Sequence, residues 1–482
     1  MASVRRNFAY QSVYQITTII LPLVTSPYVA RVLGAEGIGV YSYTYAIAYY
    51  FSLVALLGIS NHGNRVIAGA RDDIVHLKKI FSNLLMVHCT IAGIATIAYY
   101  AYCFLCIRDN SLCAAIQGLW VVSSLFDVSW LFFGLEKFKL TVVRSTLIKI
   151  LTTVCVFIFV KNSTDTWKYC AIMAGGMLIS QLVLWPFIGK YFDIKVVSWE
   201  ESKKHIKPLC VLFIPAIAIS LYKYMDKIML GIMTTKTQVG FFENAERAIN
   251  IPISIIGAFG TVMLPKMSNL IARDNNNEAK RYIMLSVEFI MCLTVAMSLG
   301  MASVAKDFSV LFWGKEFSEC GMLIKILAIS VIFVAFANIL RMQYLIPKKM
   351  DNVYIASVFT GAVVNIVING LLISRLYAVG AAIGTVAAEF SVCAVQAYCL
   401  RKELPILTYI YKILPFMVFG IVMYLMLTLI ENLKLPIAVI LLSQIIVGGI
   451  FYSVCCFVFF KKTNNKYFDS IINDIVAKFK ER

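Results

Sequence analysis

Val29–Tyr43 reads VARVLGAEGIGVYSY, and Asp226–Ala248 reads DKIMLGIMTTKTQVGFFENAERA. Each segment joins two long apolar runs, and each follows one order: charged residue, apolar pair, Leu-Gly, short polar stretch, Gly-x-aromatic, helix. Leu33-Gly34 corresponds to Leu230-Gly231, and Gly39-Val40-Tyr41 to Gly240-Phe241-Phe242, with four extra residues in the second copy. A tight turn between two long helices needs positive φ or close backbone approach, and glycine supplies both. The copies lie about 200 residues apart. That separation equals six helices of bilayer-spanning length, so the chain is expected to contain two matched halves.

Outward from these segments the apolar runs continue from Phe8 to Phe460, in about fourteen stretches long enough to cross a bilayer. Spans are expected near 8–30, 39–60, 80–105, 112–134, 141–160, 167–189, 208–231 and 239–265. The rest are expected near 282–305, 321–345, 353–374, 378–400, 409–430 and 435–460. A mean hydropathy of +0.81 with 60% hydrophobic residues describes a membrane chain. A soluble globule would have to expose much of that surface to water. Soluble enzymes and DNA-binding factors are excluded. The fold class expected is all-α: a polytopic membrane protein of about 14 transmembrane helices, in two pseudo-symmetric six-helix lobes plus a C-terminal helix pair.

The lobes are placed at 1–189 and 208–400, joined by a cytoplasmic linker at 190–207 that ends at Pro208. Helices 13 and 14 occupy 401–463. A cytoplasmic amphipathic tail at 464–482 carries Tyr467, Phe468, Ile471, Ile472, Ile475, Val476 and Phe479 on one stripe, the pattern of a helix lying on the inner leaflet. Six helices is an even number, so the second lobe enters the membrane in the same sense as the first. Parallel repeats of that kind support alternating access.

The net charge of +18 follows topology rather than nucleic-acid binding. With both termini inside, roughly thirty of the 44 Lys and Arg fall on inner connectors and roughly nine on outer ones, as the positive-inside rule expects. Met1–Phe8 is a short basic lead without a small-residue cleavage site, so no cleavable signal peptide is expected. Most of the 13 cysteines lie within spans as small apolar fillers. Cys106 and Cys113 could close a disulfide on an oxidising outer side. The histidines His62, His76, His88 and His205 lack ligand spacing, and no metal site or cofactor is expected.

Ionisable residues inside spans cost several kcal/mol unless they face a partner or water. Lys223, Asp226 and Lys227 share one face of the seventh span, and Glu243, Glu246, Arg247 and Asn250 share one face of the eighth. At ~1.5 Å of rise per residue, Lys223 and Arg247 lie ~12 Å in from the outer turn. Two alternatives stay open: the faces line a wet cavity, or Lys227 pairs with Glu243 and Asp226 with Arg247 to pin the helices. Three cations balance three anions, so the cluster alone is not an anion trap. Lys149 and Lys325 either add positive potential to the cavity or snorkel to headgroups. Asp127, Glu288 and Glu389 are isolated intramembrane acids, candidates for H+ or Na+ coupling or for helix packing.

The opening NFAYQSVYQITTIILPLVTSPYVARVLGAEGIGVYSYTYAI, with GISNHGNRVIA at Gly58–Ala68, resembles the Wzx-type polysaccharide and O-antigen repeat-unit flippases. These belong to the multidrug/oligosaccharidyl-lipid/polysaccharide exporter superfamily. Asp226–Ala248 is similar to that family's seventh-to-eighth helix motif. The resemblance runs through essentially the whole chain. It implies a V-shaped pair of lobes around a cavity open alternately to each side of the bacterial cytoplasmic membrane. The cargo it implies is undecaprenyl-diphosphate carrying one oligosaccharide repeat unit, moved to the outer leaflet for O-antigen or capsule biosynthesis.

Such a cargo needs hydrogen-bonding surface for sugar and cations for diphosphate. Arg31, Lys223, Lys227 and Arg247 are assigned to diphosphate or acidic sugar, and Tyr10, Tyr14, Tyr41, Tyr43 and Tyr45 to sugar contact. A monomeric transport unit in contact with membrane lipids and other polysaccharide-assembly proteins is expected, with no catalysis. Two rivals are weighed. A cation-coupled drug or metabolite antiporter of the same superfamily would want a buried acid pocket in one lobe. A membrane polysaccharide polymerase or ligase would want a sizeable outer loop, and the longest, Lys306–Cys320, is too short to enclose a saccharide. An ion channel would want a filter segment, and none is visible.

Overall fold

The computed structural model of the chain describes residues 2–189, 197–431, 433 and 435–463, with side chains from residue 17 except 19, 215 and 222. The amphipathic tail over 464–482, residues 190–196 of the linker and the Tyr10 and Tyr14 side chains lie outside the described residues. Sixteen α-helices carry the fold among the described residues. They are α1 (Ala2–Leu56), α2 (Ile59–Ala70), α3 (Ile74–Cys106), α4 (Ser111–Leu125), α5 (Ser129–Gly134), α6 (Phe138–Phe159), α7 (Thr166–Leu182) and α8 (Trp185–Ile188). Then follow α9 (Trp199–Ser202), α10 (Ile206–Met233), α11 (Lys236–Ala272), α12 (Asn276–Trp313), α13 (Cys320–Leu340), α14 (Asp351–Leu400), α15 (Ile406–Glu431) and α16 (Ile437–Lys462).

Eleven helical segments among the described residues are long and apolar enough to cross a membrane. Two of them exceed one crossing. α1 has 55 residues and α14 has 50, each ~75–80 Å at ~1.5 Å per residue, against ~30 Å of hydrocarbon. Each is broken once: Gly34 (φ 68, ψ 178) divides α1, and Tyr377 (φ 52, ψ −131) divides α14. Gly34 occupies a backbone region that costs a residue with a Cβ but not glycine. Tyr377 must bear that strain, and the side-chain oxygen of Gln238 accepts from the next amide, Ala378 N, at 3.2 Å. With an extra crossing at each kink, and with the 28-residue α10, the helices are compatible with the fourteen expected.

The chain divides into two compact units, Met1–Asn244 with Asn365–Ala381, and Ala245–Val364 with Ala382–Arg482. In the first, Ile59 and Ile67 of α2, Phe81 and Leu84 of α3, and Trp130, Leu131 and Phe132 of α5 are buried in one apolar cluster with Leu184. At the end of the linker, Ser198 caps α9 by accepting from Glu200 N, and Lys79 of α3 binds Glu201 at 2.9 Å. The two glycine segments lie against each other here. A Cβ on Gly39 would fall 1.6 Å from the Lys236 carbonyl oxygen, and one on Gly240 would fall 1.9 Å from that of Ala35.

In the second unit α15 and α16 pack on α12. Gly420 leaves room for Val295 and Leu299, and the Tyr452 hydroxyl donates to the Cys292 carbonyl at 2.8 Å. Small residues at helix contacts are how helices associate where lipid is as apolar as leucine. All thirteen cysteines are free thiols. The Cys106–Cys113 bridge is not formed: exposed Cys106 and buried Cys113 are separate thiols.

Candidate functional site

The densest polar group of the first unit is built on α10 and the first turns of α11. Lys227 and Glu243 form an ion pair at 2.6 Å, with side chains only 8% and 13% exposed. At that burial each charge depends on the other, since removing one partner strands the second in a medium that solvates it poorly. Ser42 of α1 donates to the same Glu243 oxygen, so the pair is tied to three helices. Of the two expected pairings, Lys227 with Glu243 is therefore present.

Asp226, one residue earlier, is buried. Its carboxylate accepts from the Asn369 side chain, which also donates to Asn365 at 3.1 Å. Both asparagines are fully buried in the Asn365–Ala381 part of α14. An amide donor offsets part of the cost of desolvating a buried carboxylate. Asn365, Asn369 and Ser42 were missed at the level of sequence. The signal was an i, i+4 asparagine pair inside the apolar run GAVVNIVINGLLI.

Aromatic rings flank this group. The Tyr224 ring of α10 lies tilted against that of Tyr49, centroids 4.0 Å apart, and 6.1 Å from Tyr45. Lys223 and Lys227 sit 5.7 and 5.4 Å from its ring centre. Tyr41 and Tyr45 are stacked at 5.9 Å, and Tyr45 meets Trp120 of α4 edge-on at 4.9 Å. Tyr43 instead serves the glycine seam, with the Lys236 ammonium 3.4 Å above its ring. The Tyr50 hydroxyl donates to the Ser220 carbonyl at 3.0 Å.

Other sequence-marked residues are placed as follows. Arg31 and Lys223 are exposed. Glu246, Arg247 and Asn250 continue along α11 in the second unit, where Asn250 is exposed and the other two are half-buried. Lys149 of α6 donates to Thr18 of α1 at 2.9 Å. Lys325 is half-buried on α13, within the electrostatic reach of Asp307. Glu288 is not isolated: Lys412 of α15 binds it at 2.9 Å, a partner 124 positions away. Glu389 is half-buried on α14 in the field of Arg341.

Asp127 lies at a break between α4 and α5. The backbone carbonyls released there are taken up by side chains: His88 donates to Ser124 at 2.8 Å, Trp185 to Phe126 at 2.9 Å and Trp130 to Asp127 at 3.0 Å. The Asp127 side chain accepts from Ser129 N at 2.8 Å. Among the described residues no group of three His, Cys, Asp or Glu could hold a metal ion.

Many membrane-length helices enclosing ion pairs, buried amides and a capped helix break define a polytopic α-helical membrane protein with a charged interior. The chain belongs to the polysaccharide biosynthesis protein family, whose profile it matches over residues 4–271, more than half its length. It is 23% identical over 351 residues to a "Putative O-antigen transporter" of Shigella dysenteriae, covering 72% of this chain and 87% of that one. A protein of the same name from Escherichia coli K12 is 23% identical over 413 residues, covering 83% and 97%.

Among solved structures the fold matches lipid II flippase MurJ in an inward closed conformation, with a TM-score of 0.76 at 13% identity, over 95% of this chain and 99% of that one. An inward-facing multidrug resistance MATE family transporter of the MOP superfamily matches with a TM-score of 0.57 at 14% identity, over 78% and 94%. At these identities the likeness establishes the fold.

Proposed function

We propose that this protein is a Wzx-type flippase. It moves undecaprenyl-diphosphate-linked oligosaccharide repeat units from the inner to the outer leaflet of the bacterial cytoplasmic membrane for O-antigen or capsule biosynthesis. The observation that carries this reading is the polar interior of the first unit, in a polysaccharide-family chain with the fold of MurJ. Intramembrane charge is costly and tends to mark a transport path, and sugar needs hydrogen-bonding surface that an apolar bundle lacks. The chain acts as a transporter, not as a catalyst.

On this reading the lobes 1–189 and 208–400 alternate in access around the 190–207 linker, with 401–463 and 464–482 as additions. Both termini are cytoplasmic and one monomer is the transport unit, working beside other assembly proteins. Arg31, Lys223, Lys227 and Arg247 serve diphosphate or acidic sugar. Asp226, Glu243, Glu246 and Asn250 supply polar lining, and Lys149 and Lys325 supply further positive potential. Asp127, Glu288 and Glu389 are the candidate carriers of an H+ or Na+ coupling ion. A drug antiporter is the weaker reading, since Glu243 and Glu288 are both ion-paired with lysine.

The test is reconstitution of the full chain into vesicles holding undecaprenyl-diphosphate with a tritiated trisaccharide. Sugar in the outer leaflet is read with membrane-impermeant periodate. A protein-dependent rise in oxidised label is expected. No rise, together with gradient-driven ethidium uptake, would favour the antiporter.

A further inference from the structure

A cavity of about 360 Å³ opens in the first unit where α4 and α5 meet α6 and α7. That is at the small end of ligand-sized pockets, ~300–1,000 Å³. Its lining carries three ionisable side chains: Asp127 at the helix break, and Arg144 and Lys149 on α6. Two cations against one carboxylate leave the lining with one net positive charge. Lys149 lies eleven residues along α6, which starts at Phe138. At ~1.5 Å per residue that is ~16 Å, about half of a ~30 Å hydrocarbon layer. Broken helices within a membrane are tolerated where they line a protein-enclosed cavity, and transport sites are commonly built on them.

The charges are held in place. Arg144 donates to the Ser180 carbonyl at 3.0 Å and to the Gln181 side chain at 3.1 Å. Its other terminal nitrogen donates to Ser145 at 3.0 Å. Trp120 of α4 lines the same cavity and gives it an aromatic wall. Met173 and Met177 of α7 complete an apolar wall.

An aromatic wall, a carboxylate for hydroxyl groups and a single surplus positive charge suit one chemical class. We propose that this cavity is a saccharide subsite that takes a carboxylate-bearing sugar of the cargo. The proposal rests on the flippase reading. A hexuronate ring presents an apolar face to Trp120 and hydroxyls to Asp127, and its carboxylate is drawn to Lys149 and Arg144. A diphosphate fits less well: it brings more negative charge than the lining balances, beside a fixed carboxylate.

The test uses the full chain in lipid nanodiscs and saturation-transfer NMR. The probes are methyl glucuronide, methyl glucoside and inorganic pyrophosphate. Binding of the glucuronide over the glucoside is expected, weakened roughly tenfold by Lys149→Met, the loss of one charge-assisted contact. Trp120→Phe, which keeps an aromatic wall of smaller area, should weaken it less. Arg144→Lys keeps the charge and guards against a folding defect, and should retain the preference for glucuronide. Equal binding of both sugars, no binding of glucuronide, or a glucuronide signal untouched by Lys149→Met would overturn the proposal. So would displacement of the glucuronide by pyrophosphate at lower concentration, which would make the cavity a diphosphate site. If lipid-linked repeat unit accumulates in a deletion strain while glucuronide fails to bind, the subsite alone is wrong. If none accumulates, the transport reading fails whichever sugar binds.

Discussion

Gly39 of α1 meets Lys236 at the start of α11 backbone to backbone, and the same contact recurs reciprocally between Gly240 and Ala35. The two glycine segments therefore close one seam with corresponding glycines. A methyl group at either position would enter the space of a carbonyl that belongs to a long helix and cannot swing aside as a side chain could.

Gly39→Ala and Gly240→Ala should each lower stability by at least the ~1–3 kcal/mol typical of overpacking. Gly69→Ala on α2, where a Cβ would meet nothing within 4 Å, should be neutral or stabilising by up to about 1 kcal/mol, the helix-propensity difference. Thermal unfolding of the detergent-solubilised protein, followed by fluorescence-detected size exclusion, separates these outcomes. A Gly39→Ala protein as stable as the parent would contradict the seam.

Breaking the Lys227–Glu243 pair should be costly, by about 3–5 kcal/mol for a buried charge left alone. Lys227→Met and Glu243→Gln should each reduce the folded yield, and the exchanged pair Lys227→Glu with Glu243→Lys should recover much of it. Rescue of yield without rescue of export would mean that the pair pins helices and that its polarity also matters to cargo.

Lys223 and Arg247 should behave differently. Lys223 is exposed beside Tyr224, so Lys223→Ala should leave membrane insertion intact and reduce surface polysaccharide; Arg247→Ala should do the same. Immunoblotting of membranes alongside polysaccharide gels checks both effects. Normal polysaccharide in both variants would remove these residues from the cargo path.

Asn369→Leu should destabilise by about 1.5–3 kcal/mol, the range for a hydrogen bond to a charged group, by leaving Asp226 without its amide donor. Asp226→Asn in the same chain should offset part of that loss, because the buried charge is then gone. An additive double variant in chemical unfolding would argue against direct coupling.

How much of this was legible beforehand depends on what kind of feature each residue makes. Gly34 lies within the expected turn because Leu-Gly between two apolar runs marks a break by composition. The Lys227–Glu243 pairing was one of two open alternatives, since helical spacing fixed their depth but not which face met which. Asn365 and Asn369 were hidden because neutral amides barely alter the hydropathy of a span. The break at Phe126–Val128 carries no Gly or Pro. It is set by His88 and Trp185 from elsewhere in the chain, together with the nearby Trp130, which donate to the carbonyls at the break. Glu288 looked isolated because its lysine sits on α15, and no local pattern encodes a contact across that separation.

The measurement that bears most directly on the central claim is the lipid-linked oligosaccharide pool of a strain lacking this gene. Transport of finished repeat units predicts that one complete undecaprenyl-diphosphate repeat accumulates and that restoring the gene clears it. An unchanged pool with normal surface polysaccharide would contradict the account.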